Sequence, residues 1–269
     1  MNTAPAAPQH RPLAVVTGAS TGIGYELAKC CAKQGFDLVV VAEESLITQA
    51  AHELRHLDVK VEAVQADLAS VEGVEQLLAQ IGDRPVEALL ANAGRGLGER
   101  FFDQTFEDIR YVIDTNVLGT VKLVHAIGKR MHDRNHGRIL ITGSIAGIVP
   151  GGYHTVYNGT KAFLDNFSYG LREELTDSAV TLTCLMPGPT ETEFFDRAHL
   201  QNTRVGVMSK DDPAQVAQSG FEAMMAGKAG VVTGWQNKLQ AAAARLAPAG
   251  LLAKMHGKLA EPGSAQRTQ

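Results

Sequence analysis

Short runs of apolar residues recur along the chain, and stretches of helical periodicity separate them. Leu13–Thr17, Asp37–Val41, Val86–Ala91 and Arg138–Thr142 are near-continuous apolar runs of strand length, and Lys60–Ala66 alternates. Such runs suit strands covered on both faces, the situation in a parallel sheet flanked by helices. Between them lie helix formers at Tyr25–Lys33, a polar helix around His52–His56, a long helical region from Phe101 to about Met131, and a further helix at Pro213–Met225. A short strand at Gly230–Thr233 closes the series. The alternation predicts an α/β fold: one domain over residues 12–235, a doubly wound, seven-stranded, mostly parallel sheet with helices on both faces.

Composition narrows the picture. With 269 residues, 45% of them hydrophobic, the chain can bury one sizeable core. A formal charge of −4 gives no reason to expect nucleic acid. Three cysteines, two of them adjacent at Cys30 and Cys31, make no disulfide framework, so they read as core residues of a cytoplasmic protein. Residues 1–11 are rich in Ala and Pro without an apolar h-region, which predicts a disordered lead-in rather than a signal peptide. No apolar run is long enough to span a membrane.

Candidate chemistry gathers where the strands end. After Leu13–Thr17 comes Gly18-Ala19-Ser20-Thr21-Gly22-Ile23-Gly24, then a helix. Strand, glycine turn and helix N-terminus make a pyrophosphate site, because glycines let the backbone approach and unpaired N–H groups attract the anion. The spacing is G-x-x-x-G-x-G, not the commoner G-x-G-x-x-G. Glu43, about 20 residues on, can bond a ribose 2′-hydroxyl. With Glu44 beside it and no cation at Ser20 or Thr21, it favours NAD over the alternative NADP. Asp67-Leu68 and Asn92-Ala93-Gly94 end the third and fourth strands and should face the same cofactor.

Tyr157 and Lys161 are one helical turn apart, so a cation would stand beside a phenol and draw its pKa down, making Tyr157 an acid or base for a carbonyl or alcohol oxygen. Ser144, just past the strand Arg138–Thr142, is placed to polarise that carbonyl. A serine hydrolase centred on Ser144 fails because Thr142 stands at the first glycine of G-x-S-x-G. His52-Glu53-Leu54-Arg55-His56 spells the H-E-x-x-H of zinc proteases, but no third ligand follows it and it sits inside the strand and helix series, so no metal site is expected. Asn116 falls inside the long helical region, where spacing alone does not single it out.

Taken together these residues resemble the short-chain dehydrogenase/reductase family, and the likeness spans most of the chain. Thr17 to Gly24 resembles the family's cofactor loop, Asp67 its adenine contact, and Asn92-Ala93-Gly94 its N-A-G motif. Asn116, Ser144, Tyr157 and Lys161 match its catalytic tetrad; Pro187-Gly188 resembles the turn after the sixth strand, with Thr190 and Thr192 beyond it on the nicotinamide side. The resemblance implies a Rossmann-type fold and a hydride passing between nicotinamide C4 and a carbonyl carbon. In it Tyr157 is the acid or base, Ser144 holds the oxygen, Lys161 lowers the phenol's pKa and binds the ribose, and Asn116 holds a water linking Lys161 to solvent. It also implies a homodimer or homotetramer. Ala91, Thr190, Asn158 and Thr160 depart from the family's usual residues without removing a reacting group. Residues 190–210 should cover the substrate, and Phe194, Phe195, Tyr153 and His154 suggest a medium or large apolar carbonyl compound or alcohol. The alternative from another class, an idle dinucleotide-binding redox sensor or scaffold, would ordinarily lack Tyr157 or Lys161.

The tail, residues 236–269, changes the charge balance. Five basic residues (Lys238, Arg245, Lys254, Lys258, Arg267) against Glu261 give it +4, and the rest of the chain −8. Pro248 divides it into two helical pieces, and Leu251, Leu252, Met255 and Leu259 form one stripe beside Lys254 and Lys258. Such a stripe needs a surface: first the acidic body of the same or a neighbouring subunit, then the mouth of an apolar pocket, then weak peripheral contact with an anionic membrane.

Overall fold

The computed structural model describes residues 11–244 and 246–265; the expected lead-in, except for Arg11, lies outside the described residues. Seven strands alternate with helices in chain order: β1 (Leu13–Thr17), α1 (Gly22–Lys33), β2 (Asp37–Ala42), α2 (Leu46–Arg55), β3 (Val61–Gln65), α3 (Val71–Ile81) and β4 (Val86–Ala91) form the first half. The second half holds α4 (Phe106–Ile113), α5 (Thr120–Asp133), β5 (Gly137–Thr142), α6 (Thr155–Glu174), β6 (Val180–Met186), two short helices α7 (Phe194–Arg197) and α8 (Arg204–Val207), then α9 (Pro213–Met225) and β7 (Gly230–Val232). Two tail helices follow, α10 (Trp235–Ala244) and α11 (Ala249–Ala260).

The sheet order is β3-β2-β1-β4-β5-β6-β7, and every pairing is parallel, so the sheet is wholly rather than mostly parallel. The strand sequences read as continuous apolar runs because both faces are covered. Successive side chains alternate between two cores. Ala14, Val16, Leu38 and Val40 meet Leu27, Ile47 and Phe221 of α1, α2 and α9. Val15, Val39, Leu89 and Ile139 meet Leu77, Leu123, Ile127 and Leu164 of α3, α5 and α6. The order reverses between β1 and β4, and a doubly wound sheet opens its ligand crevice outside the strand ends at that point.

The long helical region expected from Phe101 to about Met131 is present but in several pieces. A 3₁₀ turn at Phe101–Asp103 gives way to α4, whose cap Thr105 accepts a hydrogen bond from the Asp108 N–H at 3.1 Å. A π turn at Asp114–Gly119 then separates α4 from α5. Its wider winding holds Asn116 fully buried, where helix spacing suggested an exposed or capping residue. α1 also starts three residues earlier than expected, at Gly22.

Candidate active site

One cavity of about 1010 Å³ runs along the carboxyl ends of β1 to β6. At its β1 end the glycines are needed for distinct reasons. Gly18 and Gly22 take left-handed φ of 64° and 57°. A Cβ on Gly24 would lie 2.0 Å from the Gly18 carbonyl oxygen, so only glycine lets α1 begin this close to the turn. Thr21 caps α1 without a side-chain bond, leaving the first-turn N–H groups of the helix for an anion. Ser20, Thr21 and Ile23 line the cavity with these glycines. Thr17 ties the two strand ends together: its Oγ1 accepts from the Asn92 and Ala93 N–H groups at 2.9 and 2.8 Å. The Asp67 carboxylate accepts from the Ala69 N–H at 2.9 Å beside buried Leu68. These features fit a dinucleotide, with backbone donors for its phosphates and a carboxylate at the end of β2.

Sequence reasoning missed two cations there. The Arg95 guanidinium donates to the Glu43 carboxylate at 3.3 Å, and Arg197, carried by α7, lies 2.5 Å from Glu44. Ser20 reaches Glu44 at 3.4 Å and Arg197 also pairs with Glu193. Both carboxylates are thus partly neutralised by residues 52 and 153 positions away, which no local motif could reveal.

At the reacting end, β5, β6 and α6 bring Ser144, Tyr157 and Lys161 to the cavity wall with Gly94, Pro187, Gly188, Thr190 and Thr192. Ser144 caps a 3₁₀ turn, its Oγ accepting from the Ala146 N–H at 3.0 Å and donating to the Pro187 carbonyl at 3.4 Å. Asp165, one turn beyond Lys161 on α6, accepts from the Ser144 N–H at 3.3 Å and anchors the loop. The Lys161 ammonium is buried and donates to the Thr142 carbonyl at 2.7 Å. Burial lowers its pKa to about 8, against the opposing field of Asp165.

The phenol does not behave as the spacing suggested. Burial pushes the Tyr157 pKa up; a hydrogen bond with Ser144 works against the rise, and the Asp165 carboxylate adds to it. The physical reason is that Lys161 Nζ, 5.9 Å from the ring centroid, is directed to Thr142 while low-dielectric surroundings disfavour the phenolate. The protein by itself therefore holds Tyr157 as an acid. Asn116 lies behind the wall rather than on it. Its amide accepts from the Arg95 N–H at 2.7 Å and donates to the Arg95 carbonyl and Thr160 Oγ1, each at 2.9 Å.

The remaining walls come from the 190–210 segment and the tail. Phe194 packs 5.1 Å from the Tyr157 ring and against Gly96, where a Cβ would lie 2.5 Å from Phe194 Cζ. Phe195 is buried with Ala198 and Leu200 in a small separate core. Of the pair expected after Ser144, His154 lines the cavity, while the Tyr153 hydroxyl turns to Glu261 at 3.5 Å. Asn237 of α10 donates to Asp211 at 2.7 Å and to the Thr233 carbonyl at 2.9 Å, and packs on Gly188, where a Cβ would lie 2.3 Å from its amide nitrogen. α11 is seated by Gly263 N–H on the Asn202 carbonyl at 2.8 Å and by Arg204 N–H on Ser264 Oγ at 2.9 Å. Leu252, Met255 and Leu259 of its stripe line the cavity, so within this chain the stripe packs at the pocket mouth, the second of the three expected surfaces. Leu251 and Met255 remain 51% and 56% exposed at the rim.

Two smaller expectations also meet the structure. His52 on α2 and His56 at its C-terminal cap are both exposed, and Glu53 between them accepts from the Tyr25 hydroxyl at 2.7 Å. Cys31 and Cys184 are buried thiols, but Cys30 only leans on the core and is half-exposed, because α1 turns that side toward solvent.

A sequence profile described as short chain dehydrogenase matches residues 12–203. The chain is 33% identical over 186 residues to an uncharacterized oxidoreductase of Myxococcus xanthus, covering 67% of this chain and 73% of that one. It is 35% identical over 174 residues to a very-long-chain 3-oxoacyl-CoA reductase of Pyricularia oryzae, covering 62% of this chain and 53% of the relative, so it spans about half that protein's length. A short-chain dehydrogenase from Sphingobium yanoikuyae, solved in complex with NADPH, superposes with a TM-score of 0.78 at 28% identity, over 87% of this chain and 94% of that one. With that match over most of its length and a dinucleotide crevice in its sheet, the chain belongs to the short-chain dehydrogenase family of nicotinamide-dependent oxidoreductases.

Proposed function

We propose that this chain interconverts a medium or large apolar carbonyl compound and its alcohol, with NAD(H) preferred over NADP(H). The observation that carries the reading is one cavity with the α1 N-terminus at one end and Ser144 with Tyr157 at the other, walled by Val149, Phe194, Leu252 and Leu259. When bound, the nicotinamide supplies or takes up the hydride. In reduction the Tyr157 hydroxyl gives its proton to the substrate oxygen while the Ser144 hydroxyl holds that oxygen in place. Lys161 sets a positive charge beneath Tyr157 and within reach of the ribose side. Asn116 fixes the backbone at Arg95 and so the loop after Asn92-Ala93-Gly94. An idle redox-sensing module has no need of these groups in one cavity. Exposed Phe106, Leu118 and Phe163 give the α4 to α6 side an apolar face suited to a subunit contact in a homodimer or homotetramer. The test is a screen of apolar ketones and alcohols for the change in nicotinamide absorbance with each cofactor. Absence of turnover with any of them, despite tight cofactor binding, would favour the sensor.

The cofactor preference rests on Glu43 at the end of β2, where a 2′-phosphate would meet a carboxylate whose arginine is already engaged. Calorimetry should show tighter binding of NADH than of NADPH. Glu43→Arg should narrow or invert the difference, by about tenfold for one relieved repulsion and one added charge-assisted bond. Tighter NADPH binding by the unchanged protein would refute the preference.

The seating of α11 at the mouth makes a separate prediction. Deleting residues 248–269 should cost about tenfold or more in kcat/KM for large apolar substrates, because Leu252, Met255 and Leu259 no longer cover them. Small ketones and NADH affinity should be little affected. An equal loss for small and large substrates would show that α11 supports the fold rather than covering the pocket.

A further inference from the structure

Two imidazoles meet edge to face in the wall of the cavity, and the chemistry above uses neither. His154 precedes α6 and is 5% exposed; its ring makes no cap bond to the helix. It lies between the Tyr157 ring, centroid to centroid 6.2 Å, and the His256 ring of α11 at 5.4 Å. Its Nε2 is buried and has no hydrogen-bond partner among the described residues. A buried polar nitrogen in that state costs about 1–3 kcal/mol, and polar groups left so in a folded protein need a reason. The residue ahead of it, Tyr153, is held at a left-handed φ of 62°, a conformation unfavourable for a bulky side chain. Strain of that kind collects at binding and catalytic sites.

His256 supplies the complementary half. Its Nδ1 lies 3.2 Å from the Gly152 carbonyl, which can only accept, so Nδ1 carries the hydrogen and the neutral ring offers Nε2 as an acceptor. Among the described residues His154 Nε2 has no partner to fix its tautomer, so the ring can present an N–H. The same cavity is lined by the apolar Val149, Leu252, Met255 and Leu259.

We infer that His154 and His256 form a polar anchor for a second, neutral oxygen of the substrate, a hydroxyl that accepts from His154 and donates to His256, a few bonds from the reacting carbonyl. The inference rests on the oxidoreductase reading above and narrows its substrate to an apolar compound carrying such a hydroxyl. A hydroxyl suits the pair because it can give and take a hydrogen bond at once. A carboxylate does not, since burial holds His154 neutral, its pKa driven down to about 3, and lowers that of His256 as well. The anchor also makes α11 part of the binding site, since His256 reaches the cavity only while that helix is seated.

The test uses the full chain with NADH and two probes: a medium-chain β-hydroxy ketone, and the ketone of equal length without the hydroxyl. His154→Leu should lower kcat/KM for the hydroxy ketone about tenfold more than for the plain ketone, mainly through KM, the size of one lost hydrogen bond with its partner left unpaired. His256→Leu should do the same, and His154→Gln should restore part of the difference. Equal losses for both probes would mean that His154 only positions Tyr157, and no loss for either would remove it from the site; both outcomes overturn the anchor. If neither ketone is turned over, calorimetry of the hydroxy ketone on the NADH complex decides independently. Weaker binding by His154→Leu would keep the anchor while the oxidoreductase reading fell, and equal binding would end the anchor too.

Discussion

Replacing Tyr157 with Phe is expected to lower turnover by on the order of 10² or more, the scale of a positioned acid or base, while leaving NADH affinity nearly intact. The substitution keeps the aromatic ring and its 5.1 Å contact with Phe194, and deletes only the hydroxyl. Packing is therefore conserved and the loss reports the proton. Burial raises the phenol's pKa, so the free protein carries the protonated form that reduction requires over the whole working pH range. What remains in the variant is Ser144, still held by the Ala146 N–H and the Asp165 carboxylate, which can orient the carbonyl oxygen but has no comparable acid. Steady-state kinetics in both directions, with circular dichroism to confirm the fold, make the measurement. Normal turnover by the Phe variant would remove Tyr157 from the chemistry and turn attention to His154, whose ring packs edge to face with that of Tyr157 and also lines the cavity.

The parts of this site that were legible in the sequence are those whose chemistry is local. Gly18, Gly22 and Gly24 announce the anion site because a strand, a turn and a helix start lie within a dozen residues, and the geometry of each is imposed by its neighbours. Tyr157 and Lys161 share a helix face for the same reason. The parts that were not legible depend on chain segments far apart. Arg197 reaches Glu44 only because the 190–210 segment returns to the chain just after β2, and His256 reaches His154 only because α11 comes against the loop that precedes α6. Asn116 was hidden by a different cause: its π turn carries no strong local signal, and its burial follows from hydrogen bonds to Arg95 and Thr160. The fall expected for the Tyr157 pKa failed on a third ground. Spacing fixes which residues are neighbours, but not whether the ammonium is aimed at the phenol or, as here, at the Thr142 carbonyl.

Lys161→Met should be damaging in a different way, lowering cofactor affinity together with turnover, the latter again on the order of 10² or more. Its diagnostic is the pH profile. The Lys161 pKa falls from its usual 10.5 to about 8 because burial disfavours the ammonium, with Asp165 limiting the fall. The profile of kcat/KM reports the free enzyme, so it should decline on the alkaline side with an apparent pKa of about 8 as the ammonium is lost. The buried phenol titrates far above that range and does not produce the limb. Residual activity of the Met variant should lack this limb. Stability gives an independent check with a definite sign. Between about 8 and 10.5 the unfolded chain binds more protons at this position than the folded one, so the wild type should gain stability relative to Lys161→Met as pH rises through that window. The gain arises because a buried charge, costly below pH 8, is being removed. Melting temperatures of both proteins across the window, without cofactor, measure it, and the titrations common to both cancel in the difference. A wild type that instead lost ground to the variant over the same range would mean that the folded protein stabilises the Lys161 ammonium, and the alkaline limb would then belong to another group.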